Sequence, residues 1–146
     1  RRAPARGGGP ACGRCALGQV LAWVRLLGRH GLPAGGKVHI GRVMGVPGGM
    51  NGTTDALVAA VRDLPLEVTS WSATGIGRST LPVMLASLSK GGHLRVGMED
   101  VLTLGRGVPV TSNAQLVERA VAAGEVAQRV PMTPPQAREL LGLPPR

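Results

Sequence analysis

Aromatic residues are nearly absent from this sequence, which has no phenylalanine, no tyrosine and only two tryptophans, Trp23 and Trp71. A core must therefore be built from aliphatic side chains, and stacking of bases on aromatic rings is excluded as a main mode of recognition. Cysteine is also scarce, with Cys12 and Cys15 forming a single Cys-x-x-Cys pair. One pair is at most half of a four-ligand zinc site, so we interpret both as isolated thiols of an intracellular chain.

Acidic residues are missing from the first 50 positions, which carry eight Lys or Arg residues, whereas the rest of the chain carries nine basic and eight acidic residues. The net charge of +9 therefore belongs to the front of the chain. A basic arm can bind phosphate backbones. These charges are scattered, however, with no aromatic residues between them, which argues against a specific nucleic-acid partner.

Long apolar runs are absent too. No stretch approaches the ~20 apolar residues of a membrane span, and the start lacks the apolar segment of a secretory signal. We therefore expect a cytoplasmic protein without a membrane partner.

Glycine and proline are abundant, at 23 and 12 of 146 residues, and predict many short elements separated by turns. Residues 1–15 are rich in Gly, Pro, Arg and Ala, and we predict that they are disordered or lie outside the folded domain, which we place at 16–146. Apolar periodicity and capping residues predict helices near 17–28, 54–64, 79–89, 112–128 and 133–141, and strands near 37–46, 67–74 and 91–100.

Alternating strands and helices with short connections indicate an α/β fold with a parallel sheet. Three strands cannot close an eight-stranded barrel, which takes ~250 residues. The sequence therefore predicts either a small open sheet or part of a larger barrel.

The segment 91–100, with sequence GGHLRVGMED, has an unusual alternation. Its apolar face would carry Leu94, Val96 and Met98, and its polar face His93, Arg95, Gly97 and Glu99. A charged inner face suits a barrel strand whose inner side ends in a polar site. Arg95 and Glu99, four residues apart and followed by Asp100, either pair with each other or form such a site.

Two further features leave alternatives open. Gly75-Ile76-Gly77, followed by Arg78, either binds a phosphate through backbone N–H groups or is a tight turn between a strand and a helix. His39 and His93 are interpreted as structural hydrogen-bonding residues rather than as metal ligands.

Five segments, in order, resemble the β-keto acid cleavage enzyme family: 43–50 (VMGVPGGM), 71–78 (WSATGIGR), 91–100 (GGHLRVGMED), 112–120 (SNAQLVERA) and 133–142 (TPPQARELLG). The resemblance extends over about residues 16–143. It implies the carboxyl-terminal half of a zinc-dependent (β/α)8 TIM barrel. Such enzymes convert a β-keto acid and acetyl-CoA into acetoacetate and a new CoA thioester.

The resemblance also implies roles for individual residues. Glu99 corresponds to a zinc ligand, and Arg95 and Asp100 correspond to a pair acting at the substrate, with Asp100 abstracting a proton. The CoA phosphates are a candidate ligand for Gly75, Gly77 and Arg78.

The sequence departs from the family pattern in its histidines. The family supplies two further zinc ligands from a His-x-His pair, whereas this sequence has only His30, His39 and His93. A catalytic zinc site normally has three protein ligands. We therefore expect a truncated member that is inactive by itself and self-associates as a homo-oligomer. An inactive remnant of the barrel and a basic binding module are the alternatives, and the keto-acid substrate stays unspecified.

Overall fold

The computed structural model describes residues 22, 25, 26, 29–31 and 36–144. The predicted segment 1–15 and most of the predicted helix at 17–28 therefore lie outside the described residues. Residues 22, 25, 26, 29 and 30 are helical.

Strands and helices alternate along the first part of the described chain. They are β1 (His39–Met44), α1 (Thr54–Arg62), β2 (Ser70–Gly75), α2 (Thr80–Ser89) and β3 (His93–Leu94). A short hairpin and two helices follow: β4 (Thr103–Gly105), β5 (Val108–Pro109), α3 (Asn113–Val126) and α4 (Pro134–Leu141).

The first three strands form a parallel sheet in the order β1-β2-β3. Gly41 pairs with Ser72, and Ser72 pairs with His93, so the three strands are in continuous register. This confirms the predicted α/β class and parallel sheet. The described strands form an open sheet and do not close into a barrel.

One face of the sheet packs against α1 and α2. The buried core at this interface consists of Met44, Met50, Leu57, Ala60, Ala73, Val83 and Ala86. Arg42 is on the same side, fully buried, and its Nη2 donates to the Ala60 carbonyl over 2.7 Å. The apolar residues of β1 and of both helices therefore fix which face of the sheet the helices cover.

The opposite face of the sheet is polar near the amino ends of its strands. The two ring nitrogens of His39 lie 2.8 Å from Ser70 Oγ and 3.0 Å from Ser72 Oγ. The His93 ring lies next to it, with the two ring centroids 6.3 Å apart. His39 therefore forms its hydrogen bonds with serine hydroxyls of the neighbouring strand β2.

Side-chain caps set the starts of two helices, as their sequences predicted. Thr53 Oγ1 accepts a hydrogen bond from the Ala56 amide at the start of α1, and Ser112 Oγ accepts one from the Gln115 amide at the start of α3. Such caps satisfy backbone donors that the first helical turn leaves open.

The structure corrects two predictions for the stretch after α2. The strand predicted over 91–100 ends at Leu94, because the chain turns over Met98–Asp100, where the Asp100 amide donates to the Gly97 carbonyl over 3.0 Å. Residues 101–111, for which the sequence predicted neither a helix nor a strand, contain the antiparallel β4–β5 pair. These strands have three and two residues, too few to produce a periodic pattern.

None of the described helices combines the length and the apolar character needed to cross a bilayer.

Candidate functional site

Asp100 lies just beyond the carboxyl end of the parallel sheet and is only 7% exposed. Thr74 Oγ1, at the end of β2, donates to Asp100 Oδ2 over 3.1 Å. Arg95 Nη2 lies 3.4 Å from the same carboxylate oxygen. The Gly77 amide donates to the Asp100 carbonyl over 2.8 Å, which ties the turn after β3 to the turn after β2.

Arg95 connects this buried carboxylate to an exposed one. Its Nη2 atom also lies 3.4 Å from Glu99 Oε1, and the Arg95 and Glu99 side chains are 46% and 60% exposed. A hydrogen bond from the Glu99 backbone amide, and then one from Arg95, lower the pKa of the Glu99 carboxyl. Glu99 is therefore held in its charged form.

The sequence left open whether Arg95 and Glu99 pair with each other or belong to a polar site with Asp100, and in the structure the three side chains form one cluster. Arg95 pairs with Glu99, and it also contacts Asp100, which is buried and positioned by Thr74. A buried carboxylate next to a half-exposed guanidinium can take a proton from a substrate whose own negative charge the arginine binds.

A zinc ion does not fit the residues that the structure describes. Among them, no three His, Cys, Asp or Glu side chains lie close enough to hold a metal ion. Asp100 is engaged by Thr74 and Arg95, and both ring nitrogens of His39 are engaged by serines. Glu99, which the sequence resemblance assigns to zinc, therefore has no zinc-ligand partners among the described residues.

The segment after β2 forms a tight turn. The amides of Ile76 and Gly77 already donate to the carbonyls of Met44 and Asp100. A Cβ on Gly75 would lie 2.3 Å from the Ser79 carbonyl oxygen, so this turn requires glycine at that position. The backbone N–H groups of Ile76 and Gly77 are therefore occupied within the chain, and phosphate contact by this segment stays a prediction for the exposed Arg78 side chain.

A cleft of about 670 Å³ extends from the turn at Met98–Asp100 to the β4–β5 hairpin. Gly77, Arg78, Glu99 and Asp100 line it, and so does α3 through Arg119. Gly75 is not among the lining residues. The cleft therefore brings four of the six predicted site residues to one surface, and Arg95, which is not among the lining residues, contacts both carboxylates.

Sequence reasoning missed Thr74, Arg106 and Arg119 as site residues. Thr74 is 26 positions from Asp100, and only the pairing of β2 with β3 brings the two together. Arg106 and Arg119 are isolated arginines whose approach to the cleft depends on the unpredicted hairpin. The polar Thr74, the next-to-last residue of β2, was the one available signal, because parallel strands present their functional residues at their carboxyl ends.

Comparison with known proteins matches nearly the whole chain to one family. A profile of the family described as beta-keto acid cleavage enzyme matches residues 8–143. The 3-keto-5-aminohexanoate cleavage enzyme of Acetoanaerobium sticklandii is 39% identical over 106 residues, covering 73% of this chain and 38% of that protein. The 3-oxoadipate:acetyl-CoA acetyltransferase of Cupriavidus necator is 40% identical over 112 residues, covering 75% of this chain and 39% of that protein.

A third relative differs in its named reaction. The 3-dehydrocarnitine:acetyl-CoA trimethylamine transferase of Rhizobium meliloti is 37% identical over 100 residues, covering 68% of this chain and 33% of that protein. The matched part of this chain thus spans less than two-fifths of the length of each of these relatives. The family match extends over most of the chain, and on that ground the chain belongs to the beta-keto acid cleavage enzyme family.

Proposed function

We propose that this chain carries the proton-transfer part of a β-keto acid cleavage site. The reaction would convert a β-keto acid and acetyl-CoA into acetoacetate and a new acyl-CoA. The family match and the acetyl-CoA in the names of two relatives support this assignment. The keto acid stays unspecified, since the named relatives act on different compounds.

The observation that carries the proposal is the position of Asp100 between Thr74 and Arg95. Arg95 would bind the carboxylate of the keto acid, and Asp100 would accept a proton from its α-carbon. That carbon would then form a bond with the acetyl carbon of the thioester and release CoA thiolate. The bond from the α-carbon to the original keto carbon would break next, the thiolate would take the acyl group, and Asp100 would return its proton to acetoacetate.

We further propose that the chain forms the carboxyl-terminal half of a (β/α)8 barrel and has no turnover by itself. Its three parallel strands match the alternating units of such a barrel, which needs eight. The open edge of β3 is a reason to expect self-association. No metal-dependent step is assigned, because the described residues do not provide a zinc site.

Complementation tests this proposal. The chain is incubated with 3-oxoadipate and acetyl-CoA, alone and with the part of the Cupriavidus necator relative that the match leaves uncovered. We expect acetoacetate only in the mixture. Acetoacetate from the chain alone would contradict the proposed lack of turnover, and its absence from a stable complex of the two polypeptides would contradict the proposed reaction.

A further inference from the structure

The cleft next to Asp100 is lined by three arginines. Arg78 lies in the turn after β2, Arg106 in the turn between β4 and β5, and Arg119 on α3. Three separate elements thus contribute one cation each to the same surface. A volume of about 670 Å³ is within the usual range for a site that binds a cofactor-sized molecule.

These three cations lack carboxylate partners in the part of the chain that the structure describes. The ion pairs found there both belong to Arg95, whose single positive charge is shared between Glu99 and Asp100. With Arg78, Arg106 and Arg119 included, four arginines face the two carboxylates, so the cleft and its immediate surroundings carry an excess of positive charge. A cleft with uncompensated charge of one sign attracts ligands of the opposite sign.

Arg119 adds a second, independent observation. Its Nη1 donates to the Leu104 carbonyl over 2.7 Å, which fixes the side chain against the hairpin. Its Nε and Nη2 atoms are buried and have no hydrogen-bond partner among the described residues. Buried guanidinium donors without acceptors are costly, and phosphate oxygens are acceptors that match guanidinium geometry.

The cleft also offers apolar surface in addition to its charged residues. Leu81 and Leu102 line it and are 41% and 70% exposed. A ligand that fits this surface has several negative charges at one end and an apolar portion that reaches towards Asp100. Inorganic phosphate has only the first of these properties.

We infer that Arg78, Arg106 and Arg119 bind the phosphates of the adenosine end of coenzyme A, with its thioester arm directed past the two leucines to Asp100. This inference rests on the proposed function, which supplies acetyl-CoA as the co-substrate. Arg106 and Arg119 are thereby assigned as binding residues. The phosphates would be contacted by arginine side chains and not by the backbone of Gly75 and Gly77.

Binding of adenosine 3′,5′-bisphosphate to the full chain tests the inference without any turnover. Arg78→Ala and Arg106→Ala each remove an exposed side chain with no described internal hydrogen bond, so both variants should fold. We expect each to weaken binding about tenfold, as measured by titration calorimetry. Arg62→Ala, an exposed arginine of α1 outside the cleft, is the matched control and should bind the probe as the unmodified chain does.

Arg119 needs a paired design, because its bond to Leu104 also supports the hairpin. Arg119→Lys keeps the charge and should retain most of the affinity, whereas Arg119→Gln should lose about tenfold. Circular dichroism verifies that both variants are folded. No binding of the bisphosphate by the unmodified chain, or equal weakening by Arg62→Ala, would overturn the inference. Pyrophosphate binding as tightly as the bisphosphate would overturn the assignment to coenzyme A.

Kinetics of the complemented enzyme, meaning the complex of this chain with the added polypeptide, test this inference separately from the proposed reaction. Arg78→Ala and Arg106→Ala should raise KM for acetyl-CoA about tenfold each, with little change for S-acetylpantetheine, which lacks the phosphates. Unchanged KM values for acetyl-CoA would overturn the inference and leave the proposed reaction intact. Arginine-dependent binding of the bisphosphate in a complex that forms no acetoacetate would contradict the reaction and leave the binding assignment intact.

Discussion

Asp100 is held by groups from three parts of the chain: the Thr74 hydroxyl, the Arg95 guanidinium and, through its carbonyl, the Gly77 amide. The spacing of Arg95 and Glu99 left open whether these two residues pair with each other or form a polar site, and the structure shows the pair. The spacing could not predict Thr74, because its contact with Asp100 depends on strand pairing across 26 positions. A resemblance to known enzymes singled out Asp100, and the structure adds how the carboxylate is positioned.

The Glu99 backbone amide lowers the pKa of the Glu99 carboxyl and is the largest single cause, and Arg95 lowers it further through a hydrogen bond and through its charge. We therefore predict that Arg95→Gln raises this pKa but leaves it below the ordinary value of 4.5. Carbon-detected NMR titration of the side-chain carboxyl measures it, and Arg62→Gln should leave it unchanged. A pKa that does not move in Arg95→Gln would show that the ion pair is absent in solution.

At the scale of elements, apolar periodicity and capping residues located α1, α2, α3 and α4 to within about two residues, a usual margin for helix boundaries. The third strand was predicted too long because side-chain alternation continues past Leu94 although its backbone ladder ends there. Alternation reports which way side chains could point, not whether a neighbouring strand accepts their hydrogen bonds. The β4–β5 hairpin, which carries part of the cleft, was missed because its strands are so short.

The turn between β2 and α2 contributes Gly77 and Arg78 to the cleft, and its geometry depends on Gly75. A Cβ there would clash with the Ser79 backbone, whereas a Cβ at Gly105 would meet no atom within 4 Å. We predict that Gly75→Ala lowers the free energy of unfolding by about 1–3 kcal/mol. Gly105→Ala should change it by less than about 0.5 kcal/mol. Urea denaturation compares the two, and equal effects would contradict the described close approach.

At the scale of the molecule, the sheet separates two environments: an apolar face covered by α1 and α2, and a polar face with His39 and His93 near its amino end. The parallel sheet and the order of the elements could be predicted because βα alternation leaves few other topologies. The arginine cleft could not, because it forms where the hairpin and α3 meet the carboxyl ends of the strands.

The two histidines of the polar face make stability depend on pH. Burial lowers the pKa of both below 6.5, assisted for His39 by the charge of His93 and for His93 by Arg129. The unfolded chain therefore takes up protons first as the pH falls through 6.5. We predict that the free energy of unfolding is fully retained above this pH and decreases below it.

Denaturant titrations on either side of pH 6.5 measure this effect. His39→Gln and His93→Gln should each reduce the pH dependence, and the double variant should reduce it further. If the free energy of unfolding of the double variant depends on pH as strongly as that of the unmodified chain, groups other than the two histidines cause the dependence.

The rate of acetoacetate formation by the complemented enzyme, compared between Asp100→Asn and the Arg62→Ala control, tests the central claim most directly. Asp100→Asn keeps the shape of the side chain and removes its ability to accept the α-proton. General-base catalysis predicts a loss of about 100-fold or more for Asp100→Asn, and Arg62→Ala should keep the unmodified rate. Equal rates in the two variants would contradict the assignment of proton transfer to Asp100.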